Sequence, residues 1–130
     1  MQQWGHLPSR PWSDKFRDAF RGVKLGVRGQ SSFFVHFFMA AAVIAAAVVL
    51  GIDQLWQWCV LLLCITLVLT AEMFNTAIES MARAFTDEMN PELGKALDIG
   101  SAAVLISAIG AAVVGSVVFL SRLGTLLQWW

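Results

Sequence analysis

Three long apolar runs dominate the chain, covering residues 33–52, 55–85 and 96–121. Each approaches or exceeds the roughly 20 residues that a helix needs to cross a bilayer. The pattern predicts three spanning helices, the second carrying a helical extension to about residue 85. Only Gly51-Ile52-Asp53-Gln54 separates the first two runs, which predicts a tight hairpin. Residues 86–95 join the second run to the third, with Asn90-Pro91 as the helix break. Residues 14–30 follow a different pattern. Phe16, Phe20, Val23 and Val27 recur at helical spacing, with Asp14, Lys15, Arg17, Asp18, Arg21 and Lys24 around the rest of the surface. That arrangement predicts an amphipathic helix lying in the membrane interface. Pro8 and Pro11 make residues 1–13 a poor helix start, so they are expected to form a tail.

Composition strengthens this picture. Apolar residues make up 58% of the chain and charged residues 14%, whereas soluble domains carry about 45–50% and 25%. The expectation is an all-α integral membrane protein, a single membrane domain over residues 1–130. No secretory leader is read in the opening 30 residues, so targeting is expected to come from the spans. Trp4, Trp12, Trp56, Trp58, Trp129 and Trp130 fall near the predicted boundaries, as an aromatic belt does. Cys59 and Cys64 sit on one span facing different ways, which argues against a mutual disulfide.

The net charge is zero, yet six of the nine Lys and Arg (Arg10, Lys15, Arg17, Arg21, Lys24, Arg28) precede the first span. This excess points to a leaflet surface and away from nucleic acid. The first hairpin carries no Lys or Arg, while residues 83–95 carry two. By the positive-inside rule, the N-terminal segment and the second loop are expected to be cytoplasmic. Arg122 is a mild counter-signal. On the third span, Ala103, Ser107, Ala111 and Gly115 form a four-residue ladder of small side chains suited to close helix contact. So small a three-span chain has little interior of its own, and oligomerisation is expected.

The candidate chemistry lies on the second span, in the run AEMFNTAIES. Glu72, Asn75 and Glu79 share one helical face. A carboxylate inside a bilayer costs about 2.5–3.5 kcal/mol, so two on one stripe require a cation, a substrate hydroxyl or a proton path. A structural polar cluster between packed helices would use the same residues. Asp98 and Ser101 open the third span near the same membrane boundary. Together these are hard oxygen donors of the kind Mg²⁺ prefers, or a base for a lipid hydroxyl. No Walker-type or GxGxxG run is present, so any nucleotide is held by a non-standard site. A conduit for ions is disfavoured, because the acids cluster near one membrane surface with no polar track beyond them.

The segments FRDAFRG (16–22), AEMFNTAIES (71–80) and LDIGSAAVLISAI (97–109) resemble the small prokaryotic diacylglycerol kinases and the related undecaprenol kinases over nearly the whole chain. The resemblance implies a domain-sharing homotrimer with active sites between subunits. It also implies transfer of the γ-phosphoryl group of MgATP to a membrane lipid hydroxyl, with diacylglycerol the first candidate and undecaprenol the second. Carried over by position, Glu72 matches the general base, and Asn75 would orient that carboxylate or a phosphate oxygen. Glu79 matches a metal ligand, and Asp98 would support the nucleotide or the polar network. Gln30 stands where the family usually has a metal-binding Glu, Leu97 where it has a phosphate-contacting Lys, and Arg83 where many members have Asp. Lys95, one turn before Asp98, and Arg83, one turn beyond Glu79, are the cations placed to compensate, and Asp87 or Glu88 the carboxylates. If they do not compensate, the chain is a weakened relative that binds lipid or nucleotide. His36 falls where some members have His, and a structural hydrogen bond is expected of it.

Overall fold

A computed structural model describes residues 11–28, 31–85 and 90–129, all of them in helices and short turns. The helices are α1 (Trp12–Val27), α2 (Ser31–Val49), α3 (Leu55–Phe85) and α4 (Pro91–Leu126). Helices α2, α3 and α4 are each long and apolar enough to cross a membrane. At 1.5 Å per residue α3 is about 46 Å long, so it outreaches a hydrocarbon core of about 30 Å.

The helix ends differ from those read off the sequence, each for a local reason. Helix α1 begins at Trp12, inside the stretch read as a tail. Pro11 is extended (φ −60°, ψ 149°), and its carbonyl accepts from Asp14 and Lys15 N–H at 3.1 and 3.3 Å, so the proline starts the helix instead of blocking it. The same helix stops at Val27, short of residue 30, because Arg28 is already extended. Helix α2 stops at Val49, short of residue 52. Gly51 takes φ +63°, its N–H bonds Val48 O at 3.0 Å, and Ile52 N–H bonds Ala47 O at 3.0 Å. This double closure suits a residue without Cβ. Helix α4 begins at Pro91, ahead of the apolar run at 96, because the Asn90 side chain accepts from Glu92 N–H at 2.9 Å and Leu93 N–H at 3.4 Å. Proline at the first helical position lacks only an N–H that would be unpaired there.

Helix α3 packs most extensively on α4, and less on α2 and α1. Ala47, Ile52, Leu61 and Val118 form a small buried core at the hairpin end, flanked by Val43, Trp58, Val60 and Phe119. The Trp58 indole N–H donates to Ile52 O at 3.0 Å. Beyond this core an apolar cavity of about 500 Å³ opens between α2, α3 and α4, lined by Met39, Val43, Val68, Ala111 and Phe119 among others. Elsewhere α2 and α4 leave large apolar side chains exposed, including Phe34, Phe38, Ile106, Val113 and Val117. Lipid tails are as apolar as these side chains, so a bilayer tolerates what water would not.

Arg122 explains its own place in an apolar helix. Its Nε donates to Leu50 O at 3.0 Å, its Nη2 donates to Gly51 O, and Nη1 lies 3.7 Å from Asp53 Oδ1. The guanidinium thus satisfies carbonyls at the end of α2 that the turn leaves open. Arg122→Met is expected to keep the stem packing but strand those acceptors, lowering stability by about 1–3 kcal/mol. Thermal unfolding in detergent measures it, and an unchanged midpoint would contradict the assigned role.

Candidate functional site

The buried stripe of α3 runs through Gln57, Leu61, Val68, Glu72, Asn75, Thr76 and Ala82. Beyond Gln57, the apolar Leu61 and Val68 carry the first half, and the packing surface then turns polar without leaving that face. Glu72 is only 4% exposed and Asn75 and Thr76 7% each, while Glu79 is half-buried. Asn75 Nδ2 donates to Glu79 Oε1 at 2.9 Å. One turn of helix therefore fixes the orientation of both side chains.

Three neighbouring helices complete this cluster. Gly100 of α4 lies against Asn75 so closely that a Cβ there would come within 2.5 Å of Oδ1. Asn75 Oδ1 is buried and accepts no hydrogen bond among the described residues. The missing side chain at 100 is what lets the amide keep its NH₂ on Glu79. From α2, His36 Nε2 approaches Glu72 Oε2 to 3.6 Å. From α1, Gly26 packs on the Met73 side chain with no room for a Cβ. The end of α1 is thereby held beside the residue that follows Glu72.

Other residues read as candidates are not drawn into this cluster. Asp98 is exposed on α4, two positions before Gly100. Lys95 Nζ pairs with Glu92 Oε1 at 2.7 Å, both side chains well exposed. Arg83 Nη2 donates to Ser80 Oγ at 3.4 Å on its own helix. Gln30, Asp87 and Glu88 lie outside the described residues. Among the described residues no three His, Cys, Asp or Glu side chains converge as a metal cage. Cys59 and Cys64 are free thiols.

Helical periodicity placed Glu72, Asn75 and Glu79 on one face, but gave no sign of the Gly100 contact. A glycine amid the small residues of α4 looks like general packing until the opposite helix is seen. His36 carried a clearer signal: a polar residue in an apolar span, for which a structural hydrogen bond was expected. Its partner could not be read from the sequence, because α2 and α3 are joined at the far end of the hairpin.

The arrangement offers one buried carboxylate beside an imidazole. A second carboxylate, nearer the helix end, has Oε1 held by an amide and Oε2 free among the described residues. Comparison with known proteins is consistent with such chemistry. The sequence profile described as prokaryotic diacylglycerol kinase matches residues 17–119. The chain is 37% identical over 113 residues to a diacylglycerol kinase of Synechocystis, covering 86% of this chain and 64% of that protein. It is 29% identical over 108 residues to an undecaprenol kinase of Bacillus subtilis, covering 83% of this chain and 87% of that protein. The chain thus spans just under two thirds of the Synechocystis relative.

Proposed function

The chain belongs to the prokaryotic diacylglycerol kinase family, and from that premise we propose that it transfers the γ-phosphoryl group of ATP to the hydroxyl of a membrane lipid. Diacylglycerol is the first candidate acceptor and undecaprenol the second. The observation that carries this reading is the carboxylate pair on α3, with Glu72 buried at 4% exposure and Glu79 held by Asn75. A buried acid beside a hydrated one suits an acceptor that arrives from the bilayer and a donor that arrives from water.

In this reading Glu72 takes the proton of the lipid hydroxyl as that oxygen attacks the γ-phosphorus and the bond to ADP breaks. Asn75 holds the Glu79 carboxylate by Oε1, and Oε2 would be the oxygen available to hold a divalent cation. The fit is of the kind Mg²⁺ accepts, one or two carboxylates with water and phosphate oxygens completing the shell, not a protein cage. Bound Mg²⁺ would neutralise charge on the transferring phosphoryl group. Phosphoryl transfer relies mainly on positioning and charge, so a sparse site suffices. Asp98 supports the nucleotide from α4. Lys95 and Arg83 reach phosphate by releasing local partners that are exposed and worth at most about 1 kcal/mol.

We take the working unit to be a homotrimer with sites between subunits, in a bacterial inner membrane with the site on the cytoplasmic side. The exposed apolar faces of α2 and α4 and the positive N-terminal third support this. Helix α1 exposes Trp12, Phe16, Phe20 and Val23, which suits a helix lying at headgroup depth beside the site. The test is direct. Purified protein with γ-labelled ATP, Mg²⁺ and either lipid is expected to give labelled phosphatidic acid or undecaprenyl phosphate. Label in neither lipid would end the proposal.

A further inference from the structure

Glu72 is the most buried ionisable group among the described residues, and a carboxylate at that depth needs a partner. Its own helix supplies no side-chain donor to it among the described residues: Asn75 Nδ2 goes to Glu79 and Ser80 Oγ to the Thr76 carbonyl. The one close polar approach to its carboxyl among the described residues comes from another helix, His36 Nε2 to Oε2 at 3.6 Å. His36 also lines the apolar cavity, together with Val35, Met39 and Leu69. The imidazole therefore stands between the space that opens among the hydrocarbon-depth helices and the acid. A merely structural histidine in an apolar span would cap a backbone carbonyl or face its own helix. This one points a ring nitrogen at a single oxygen of the proposed base.

We propose that His36 is the positioning residue of Glu72: its Nε2 engages Oε2 and so turns Oε1 toward the lipid hydroxyl. The inference rests on the reading of Glu72 as general base, and deepens it. The separation is long for a hydrogen bond, as catalytic contacts often are before substrate tightens them. The pair also joins α2 to α3 at the end opposite the hairpin core, so the angle of the carboxylate depends on how α2 seats. No proton need pass to the imidazole. The lipid proton goes to Glu72, and His36 only fixes which lone pair receives it.

Two polar substitutions separate this role from general packing. A glutamine at 36 can place an N–H near the position of Nε2, whereas an asparagine places one near Nδ1, too short to reach Oε2. His36→Gln is expected to keep kcat within about threefold, and His36→Asn and His36→Leu to lower it about tenfold or more. KM for ATP should be unchanged in all three. In a Glu72→Gln background, His36→Leu should cause no further loss. The ¹³C resonance of the Glu72 carboxyl should move in His36→Asn and hold its place in His36→Gln.

Equal activity in the Asn and Gln variants, or a rise in KM for ATP matching the fall in kcat, would overturn the proposal. Full turnover in Glu72→Gln would instead remove the base assignment itself. The carboxyl resonance tells the two failures apart, since it reports the pairing whether or not Glu72 is the base. Should the leucine variant fail to fold, the Asn and Gln pair still decides the matter.

Discussion

Glu72→Gln is expected to lower kcat for lipid phosphorylation by about 10²- to 10⁴-fold, the usual contribution of a positioned general base. The substitution keeps the side-chain volume at a site that is 4% exposed, so packing between α3 and α4 should survive. Glutamine still presents a side-chain oxygen to His36 Nε2, so the contact between α2 and α3 can persist. Loss of turnover should therefore come with an unchanged elution volume in detergent and a thermal midpoint close to that of the parent protein. Initial rates across a range of diacylglycerol and undecaprenol concentrations measure it. Rates near those of the parent protein would remove Glu72 from the chemistry.

Glu79→Gln should act on the cation and leave the lipid side alone. The Asn75 amide can still donate to the carbonyl oxygen of glutamine, so the 2.9 Å contact persists and the helix surface keeps its shape. What is lost is a charged oxygen for the metal. An interaction with a charged partner is worth about 1.5–3 kcal/mol, which corresponds to about a 10- to 100-fold rise in the Mg²⁺ concentration for half-maximal rate. KM for the lipid should be unchanged. Titrating Mg²⁺ at fixed ATP distinguishes this from a base defect, which extra metal cannot rescue. An unchanged Mg²⁺ requirement would assign the metal elsewhere.

Much of the architecture was legible because the bilayer simplifies the problem. Apolar length alone identified α2, α3 and α4 as spanning helices, and the 3.6-residue period placed Glu72, Asn75 and Glu79 on one face. Helix ends were harder, since they depend on local closure. Gly51 at φ +63°, the Asn90 side chain on two N–H groups, and the extended Pro11 set ends that differ from the apolar pattern by three, five and two residues.

Contacts between helices were the least legible. Periodicity says which residues share a face, but not what that face meets. Arg122 counted as a charge against the orientation, yet it is occupied by the carbonyls of Leu50 and Gly51 more than seventy residues away in sequence. Gly100 drew no notice as an individual residue, although the fit of Asn75 depends on it. Helical spacing puts Lys95 and Arg83 where either could reach a phosphate in place of the Lys that the family has at position 97. In the folded chain each reaches first for the nearest oxygen on its own helix.

The central claim is that nucleotide and metal meet the lipid hydroxyl at the polar end of α3. Paramagnetic relaxation by Mn²⁺ carried on a non-hydrolysable ATP analogue tests this most directly, in the ¹⁵N-labelled protein. Glu79 and the hairpin are about 36 Å apart along α3, well separated for such a probe. The account predicts signal loss around Asn75, Glu79 and Gly100, with Gly51, Ile52 and Asp53 unaffected. Broadening at the hairpin, or none anywhere at saturating nucleotide, would contradict it.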